Sequence, residues 1–82
     1  MGGNGTGGYN TAVGSNALSL NSNGFGNTAV GAHSLWTNTT GAFNVAVGHG
    51  ALFSSTTANA NVALGRGTLY SNTTAGRNVA IG

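Results

Sequence analysis

Eighty-two residues are enough for one small domain, and this chain carries two arginines, no lysine, no aspartate and no glutamate. Its pI near 10.0 therefore reflects missing acids, and Arg66 and Arg77 alone cannot build the clustered basic face of a nucleic-acid binder. The absence of cysteine excludes disulfides and thiolate metal sites, and no apolar run approaches the ~18 residues of a membrane span.

Residues 1–8, "MGGNGTGG", read as a flexible glycine-rich lead-in without the charged and apolar regions of a signal peptide. Gly3, Gly5 and Gly8 match the spacing of a dinucleotide fingerprint. That motif needs a strand before it, a helix after it and an acid about 20 residues on, and none of these is present. Disorder of the remainder is disfavoured, because disordered chains combine low hydrophobicity with high net charge, whereas 39% of this chain is hydrophobic.

From residue 9 to residue 82 the chain repeats itself. Asn10, Asn27, Asn44, Asn61 and Asn78 stand seventeen residues apart, without a gap. A fixed period of this kind signals a repeat architecture, here four full units and a truncated fifth. Counting each asparagine as position one, position three is Ala12, Ala29, Ala46, Ala63 and Ala80. Position four is a branched aliphatic residue: Val13, Val30, Val47, Leu64 and Ile81. Position five is Gly14, Gly31, Gly48, Gly65 and Gly82, and position nine is Leu18, Leu35, Leu52 and Leu69. Position ten carries Trp36, Phe53 and Tyr70 after an initial Ser19, and positions twelve to fourteen are polar.

This pattern predicts an all-β fold, a parallel β-solenoid (β-roll) with 17-residue coils. Each coil is expected to hold two short strands, at positions one to four and around positions eight to eleven. A glycine corner and an Asn/Thr corner would join them, since both residue types suit left-handed backbone. Equivalent residues would stack ~4.8 Å apart, making the asparagines an amide ladder. The position-four aliphatics and the leucines are expected to form the core, and the alanine row to face a neighbouring chain. So thin a core implies self-association, most simply about a symmetry axis.

The phrase N-[TV]-A-[VLI]-G with leucine at position nine resembles the head repeats of trimeric autotransporter (YadA-like) adhesins. It is similar, too, to the NTAVG-type repeats of phage and bacterial tail-fibre proteins. The resemblance covers residues 9–82 and implies a left-handed β-roll assembled as a parallel homotrimer, part of a stiff extracellular fibre used for attachment. It implies that the five asparagines start strands and that the five glycines turn corners. The period is longer than in the head family, the corners are richer in threonine, and Thr11 and Thr28 replace more apolar residues. These departures favour the tail-fibre relatives.

Chemistry finds little to work with. Catalysis needs a base, a nucleophile and an orienting group; serines, threonines and two histidines are present but no acid and no lysine, and the paired carboxylates that glycan hydrolysis normally needs are missing. His33 and His49 occupy neighbouring positions on successive coils, but a ligating histidine is usually oriented by a carboxylate or carbonyl, so corner histidines are expected and no metal. Trp36, Phe53 and Tyr70 form a column that either packs or offers a binding strip. The pairs Thr39–Thr40, Thr56–Thr57 and Thr73–Thr74 suggest an ice-matching array, although adjacent residues on a strand face opposite sides. Asn4, Asn38 and Asn72 fit the N-glycosylation pattern.

The expected function is thus non-enzymatic: a structural or adhesive segment of a trimeric fibre on a virion or bacterial surface, with no cofactor. Its expected partners are itself, further fibre domains beyond Gly82 and a host glycan or protein. An ice-binding solenoid and a self-polymerising filament are the alternatives. Because solenoids normally end in a polar cap, the stop at Gly82 within a coil suggests a piece of a longer protein or a covered end.

Overall fold

A computed structural model describes residues 8–82. The lead-in expected over residues 1–8 therefore lies, apart from Gly8, outside the described residues. The asparagine-led phrases form five strands: β1 (Thr11–Val13), β2 (Thr28–Val30), β3 (Val45–Val47), β4 (Val62–Leu64) and β5 (Val79–Ile81). They make one parallel sheet in chain order, each residue pairing with its equivalent seventeen positions on: Ala12 with Ala29, Ala46 with Ala63. The chain is a parallel β-solenoid of about four turns. Its ladder runs both ways between coils, with Thr28 N–H donating to Asn44 O at 2.8 Å and Gly31 N–H to Val13 O at 2.7 Å.

The second strand expected in each coil does not form. The leucine arm is instead a run of overlapping turns: in the first coil Ala17 N–H donates to Gly14 O, Ser19 N–H to Asn16 O, and Asn21 N–H to Leu18 O, each at 3.3 Å. The cause is local. Leu18, Leu35, Leu52 and Leu69 all have positive φ, between 48° and 53°, which an extended strand does not admit. A left-handed leucine costs about 1–2 kcal/mol, and full burial of its side chain offsets this by about 1.5–3 kcal/mol. The turns still bond coil to coil, as when Leu35 N–H reaches Ala51 O at 2.9 Å.

The strands are turned the opposite way from expectation. Ala29, Ala46 and Ala63 are fully buried and face Leu18, Leu35 and Leu52 across the core. Val13, Val47 and Ile81 are exposed, and Val30 and Leu64 are half-buried on the outward face. So Val13, Val30, Val47, Leu64 and Ile81 are not core residues, and the row Ala12, Ala29, Ala46, Ala63 and Ala80 lies on the core side of the sheet. Alternation along a strand ties position three to position one. The amide at position one needs partners, and these lie inside. Asparagine therefore enters the interior and takes alanine with it, while the larger aliphatics turn outward, as a one-residue shift of facing requires. The leucines are core as expected, Leu69 packing half-buried against it.

Gly31 and Gly48 hold the corner that follows each strand. Their φ values of 120° and 130° suit only glycine, and a Cβ there would lie 2.8 and 2.6 Å from the carbonyl carbon of the next corner glycine. The coils are stacked too closely at this corner for any side chain.

Candidate functional site

The interior is built as much from amides as from hydrocarbon. Asn44 shows the pattern: its Nδ2 donates across its own coil to Ala58 O at 2.8 Å and down the stack to Asn27 Oδ1 at 3.1 Å. Its Oδ1 accepts the backbone N–H of Asn61 at 3.0 Å. Asn10 and Asn27 reach Gly24 O and Gly41 O in the same way, and Asn78 N–H closes on Asn61 Oδ1 at 2.9 Å. Asn10, Asn27, Asn44 and Asn61 are thus both rungs of a ladder and struts between the two arms of a coil, whereas the Asn78 amide reaches only Ala75 O, three residues back. The five residues read from sequence as a ladder do form one.

A second amide column stands at position twelve, within the polar corner that the sequence pattern marks. Asn38 Nδ2 donates to Asn21 Oδ1 at 2.7 Å and to Gly41 O at 3.0 Å. The third coil interrupts it with Ser55. There Asn38 Oδ1 and Ser55 Oγ are buried without a hydrogen-bond partner among the described residues. The signal for this column was available: asparagine occupies position twelve in three coils, serine in one.

Beyond it, backbone N–H groups converge. Ser22, Asn23 and Gly24 all donate to Thr39 O at 2.9–3.1 Å, and Thr39, Thr40 and Gly41 all donate to Thr56 O at 2.9–3.2 Å. Thr39 Oγ1 and Thr56 Oγ1 join them, donating to Thr56 O and Thr73 O. In two of the three threonine pairs one hydroxyl therefore bonds to the next coil, which weakens the case for an outward ice-matching array. Asn38, at the first residue of one glycosylation pattern, is fully buried.

The outer edge of the leucine arm carries the aromatic column. Trp36 and Phe53 have ring centroids 5.0 Å apart, and Phe53 and Tyr70 stack nearly parallel at 4.7 Å and 6°. His33 fits among them, 5.3 Å from Trp36 and 5.8 Å from His49, and its Nε2 meets Asn16 Nδ2 at 3.2 Å. The two histidines do approach each other. No group of three or more histidine, cysteine or acidic side chains able to hold a metal ion occurs among the described residues.

A second aromatic contact was not anticipated: Phe25 and Phe43 meet edge to face at 5.2 Å. They fall at positions sixteen and seventeen, where no repeat pattern draws attention to them. Both are exposed, and Phe43 leads directly into the third strand phrase.

Two concave features accompany these columns. Asn59, Ala60, Thr74, Gly76 and Arg77 line one hollow, and His49, Gly50, Arg66, Gly67 and Tyr70 line another of about 340 Å³. No family model matches this chain, and no curated protein or solved structure matches it.

Proposed function

We propose that this chain is a non-enzymatic structural segment of an extracellular attachment fibre, on a virion tail or a bacterial surface. Copies of it pack side by side as a parallel, left-handed homotrimer. The observation that carries the reading is the outward face of the sheet. Two ranks of side chains stand there: Thr11, Thr28, Val45, Val62 and Val79 at position two, and Val13, Val30, Val47, Leu64 and Ile81 at position four. In the interior coils Val47 is 37% exposed, and Val30, Val45, Val62 and Leu64 are half-buried with their open sides outward. A flat apolar face of this kind marks an interaction surface, and the alanines no longer serve for the purpose.

A second copy of the chain is the occupant the repeat favours. Its face has the same spacing along the stack, so copies side by side match rung for rung, and no charge opposes contact because the ranks contain none. The resemblance to adhesin-head and tail-fibre repeats supplies the parallel orientation, the threefold symmetry and the winding hand. The function that follows is mechanical: coils bonded along the axis hold terminal binding surfaces away from the body, where shallow contacts gain from avidity.

Light scattering on the folded chain tests this, with an expected mass of about three times 7.9 kDa. The double replacement Val47→Lys with Val62→Lys should return the mass to one chain with the strand spectrum unchanged. A single-chain mass for the unaltered protein removes the proposal.

A further inference from the structure

We propose that the cleft between the third and fourth coils, lined by His49, Gly50, Arg66, Gly67 and Tyr70, binds a carboxylate-bearing sugar ring. The inference goes beyond the fibre reading and is independent of it, since all five residues belong to one chain and to two consecutive coils.

The cleft exists because of a substitution within the repeat. Position seven carries Asn16 and His33 in the first two coils, and their side chains join at 3.2 Å. In the third and fourth coils the same position is Gly50 and Gly67, with φ of 71° and 69°, close to the 62° of Asn16 and of His33. The backbone path is therefore kept while the side chains are deleted. A Cβ built on Gly67 would meet nothing within 4 Å, and one on Gly50 would touch only the Tyr70 ring, at 3.6 Å.

The walls of this opened space have complementary chemistry. Arg66 replaces the Ser15 and Ala32 of earlier coils, and the chain contains no aspartate or glutamate to pair with it. Its guanidinium forms a planar fork that matches a carboxylate through two parallel hydrogen bonds. His49 on the rung below adds ring nitrogens that donate or accept. Tyr70 supplies an aromatic wall with a hydroxyl, held in place by its flat stacking on Phe53 at 4.7 Å. A supported aromatic ring beside one cation and several polar atoms is the composition of a small-ligand site in which an apolar surface is joined to a few placed polar groups. An acidic sugar presents both parts together: a ring with apolar C–H faces for Tyr70 and a carboxylate for Arg66.

Calorimetric titration of the folded protein with a hexuronic-acid oligosaccharide, a neutral hexose oligosaccharide of equal length and inorganic phosphate tests the assignment. The acidic sugar should bind, and Arg66→Gln should weaken it about tenfold or more, as loss of a charge-assisted hydrogen bond does. Tyr70→Leu should weaken it as well. Gly50→Asn restores the side chain that the first coil carries at this φ, so it should fill the cleft and abolish binding with the fold intact by circular dichroism. Equal binding of the neutral sugar would remove the role of Arg66. Phosphate binding as tight as the acidic sugar would remove the role of the ring wall. Failure of the acidic sugar to bind, or full binding by Gly50→Asn, overturns the proposal. The chain mass, measured on the same sample, reports separately on the fibre reading.

Discussion

Ser55 breaks the second amide column, and repairing the break requires two changes together. In the first two coils position twelve is asparagine and position fifteen is glycine: Asn21 with Gly24, Asn38 with Gly41. Those glycines have no room for a side chain, because a Cβ on Gly24 would collide with Gly41 O and Asn21 Oδ1, and one on Gly41 with Ala58 O and Asn38 Oδ1. The third coil has the smaller Ser55 and, correspondingly, a buried Ala58. Asn72 does stand beside an alanine, Ala75, but there both residues are more open to solvent. Ser55→Asn alone should therefore drive its amide against the Ala58 methyl and destabilise by about 1–3 kcal/mol, the usual cost of overpacking. Ala58→Gly alone should cost about 1 kcal/mol in lost packing and added chain entropy. The double replacement restores the Asn–Gly pair, gives Asn38 Oδ1 a donor and removes the orphaned Ser55 Oγ. An unsatisfied buried group costs about 1–3 kcal/mol, so the double variant should be about 2 kcal/mol more stable than the parent, roughly thirtyfold in the folding equilibrium. Urea unfolding of all four proteins at one chain concentration gives the cycle. If Ser55→Asn alone stabilises as much as the pair, the clash is imaginary; if the pair is less stable than the parent, the orphaned acceptor is not the weak point.

Other replacements probe the remaining supports. Asn44→Ala removes the strut to Ala58 O and the acceptor of Asn61 N–H, and should cost about 3 kcal/mol by urea unfolding. Asn10→Ala, at a rung with less burial, should cost visibly less. Gly48→Ala would put a Cβ 2.6 Å from the Gly65 backbone, so the soluble folded fraction should collapse, whereas Gly67→Ala, which meets nothing, should retain the fold. Leu52→Ala should lose about 2–5 kcal/mol in a thermal or urea melt. With no aspartate or glutamate in the chain, the carboxylate protonation that drives most acid unfolding is missing, and urea midpoints at pH 3 and pH 5 should coincide.

The period, the asparagine ladder, the glycine corners and the leucine core were legible because each depends on a residue type that only one environment suits. Gly31 and Gly48 admit no alternative, and Leu35 and Leu52 have nowhere to go but inside. The facing of the strand was not legible from hydrophobicity. Val47 is more apolar than Ala46, yet Ala46 is buried and Val47 exposed, because alternation ties Ala46 to Asn44 and the amide of Asn44 dictates the side. The leucine arm misled for a different reason. Leucine seldom takes positive φ, so nothing in the composition of that arm announces a chain of turns. The cleft at Gly50 was visible in principle as a glycine replacing Asn16 and His33, but its meaning depended on Arg66 and Tyr70 arriving beside it.

An interior shared between leucines and amides has a thermal consequence. Exposing apolar surface raises the heat capacity of a protein, and exposing polar surface lowers it. Melting this stack uncovers Asn27, Asn38, Asn44 and Asn61 along with Leu18, Leu35 and Leu52, so the two contributions partly cancel. The free energy of folding should consequently arch only gently with temperature, keeping much of its value toward both cold and heat, where a conventional greasy core would have lost it.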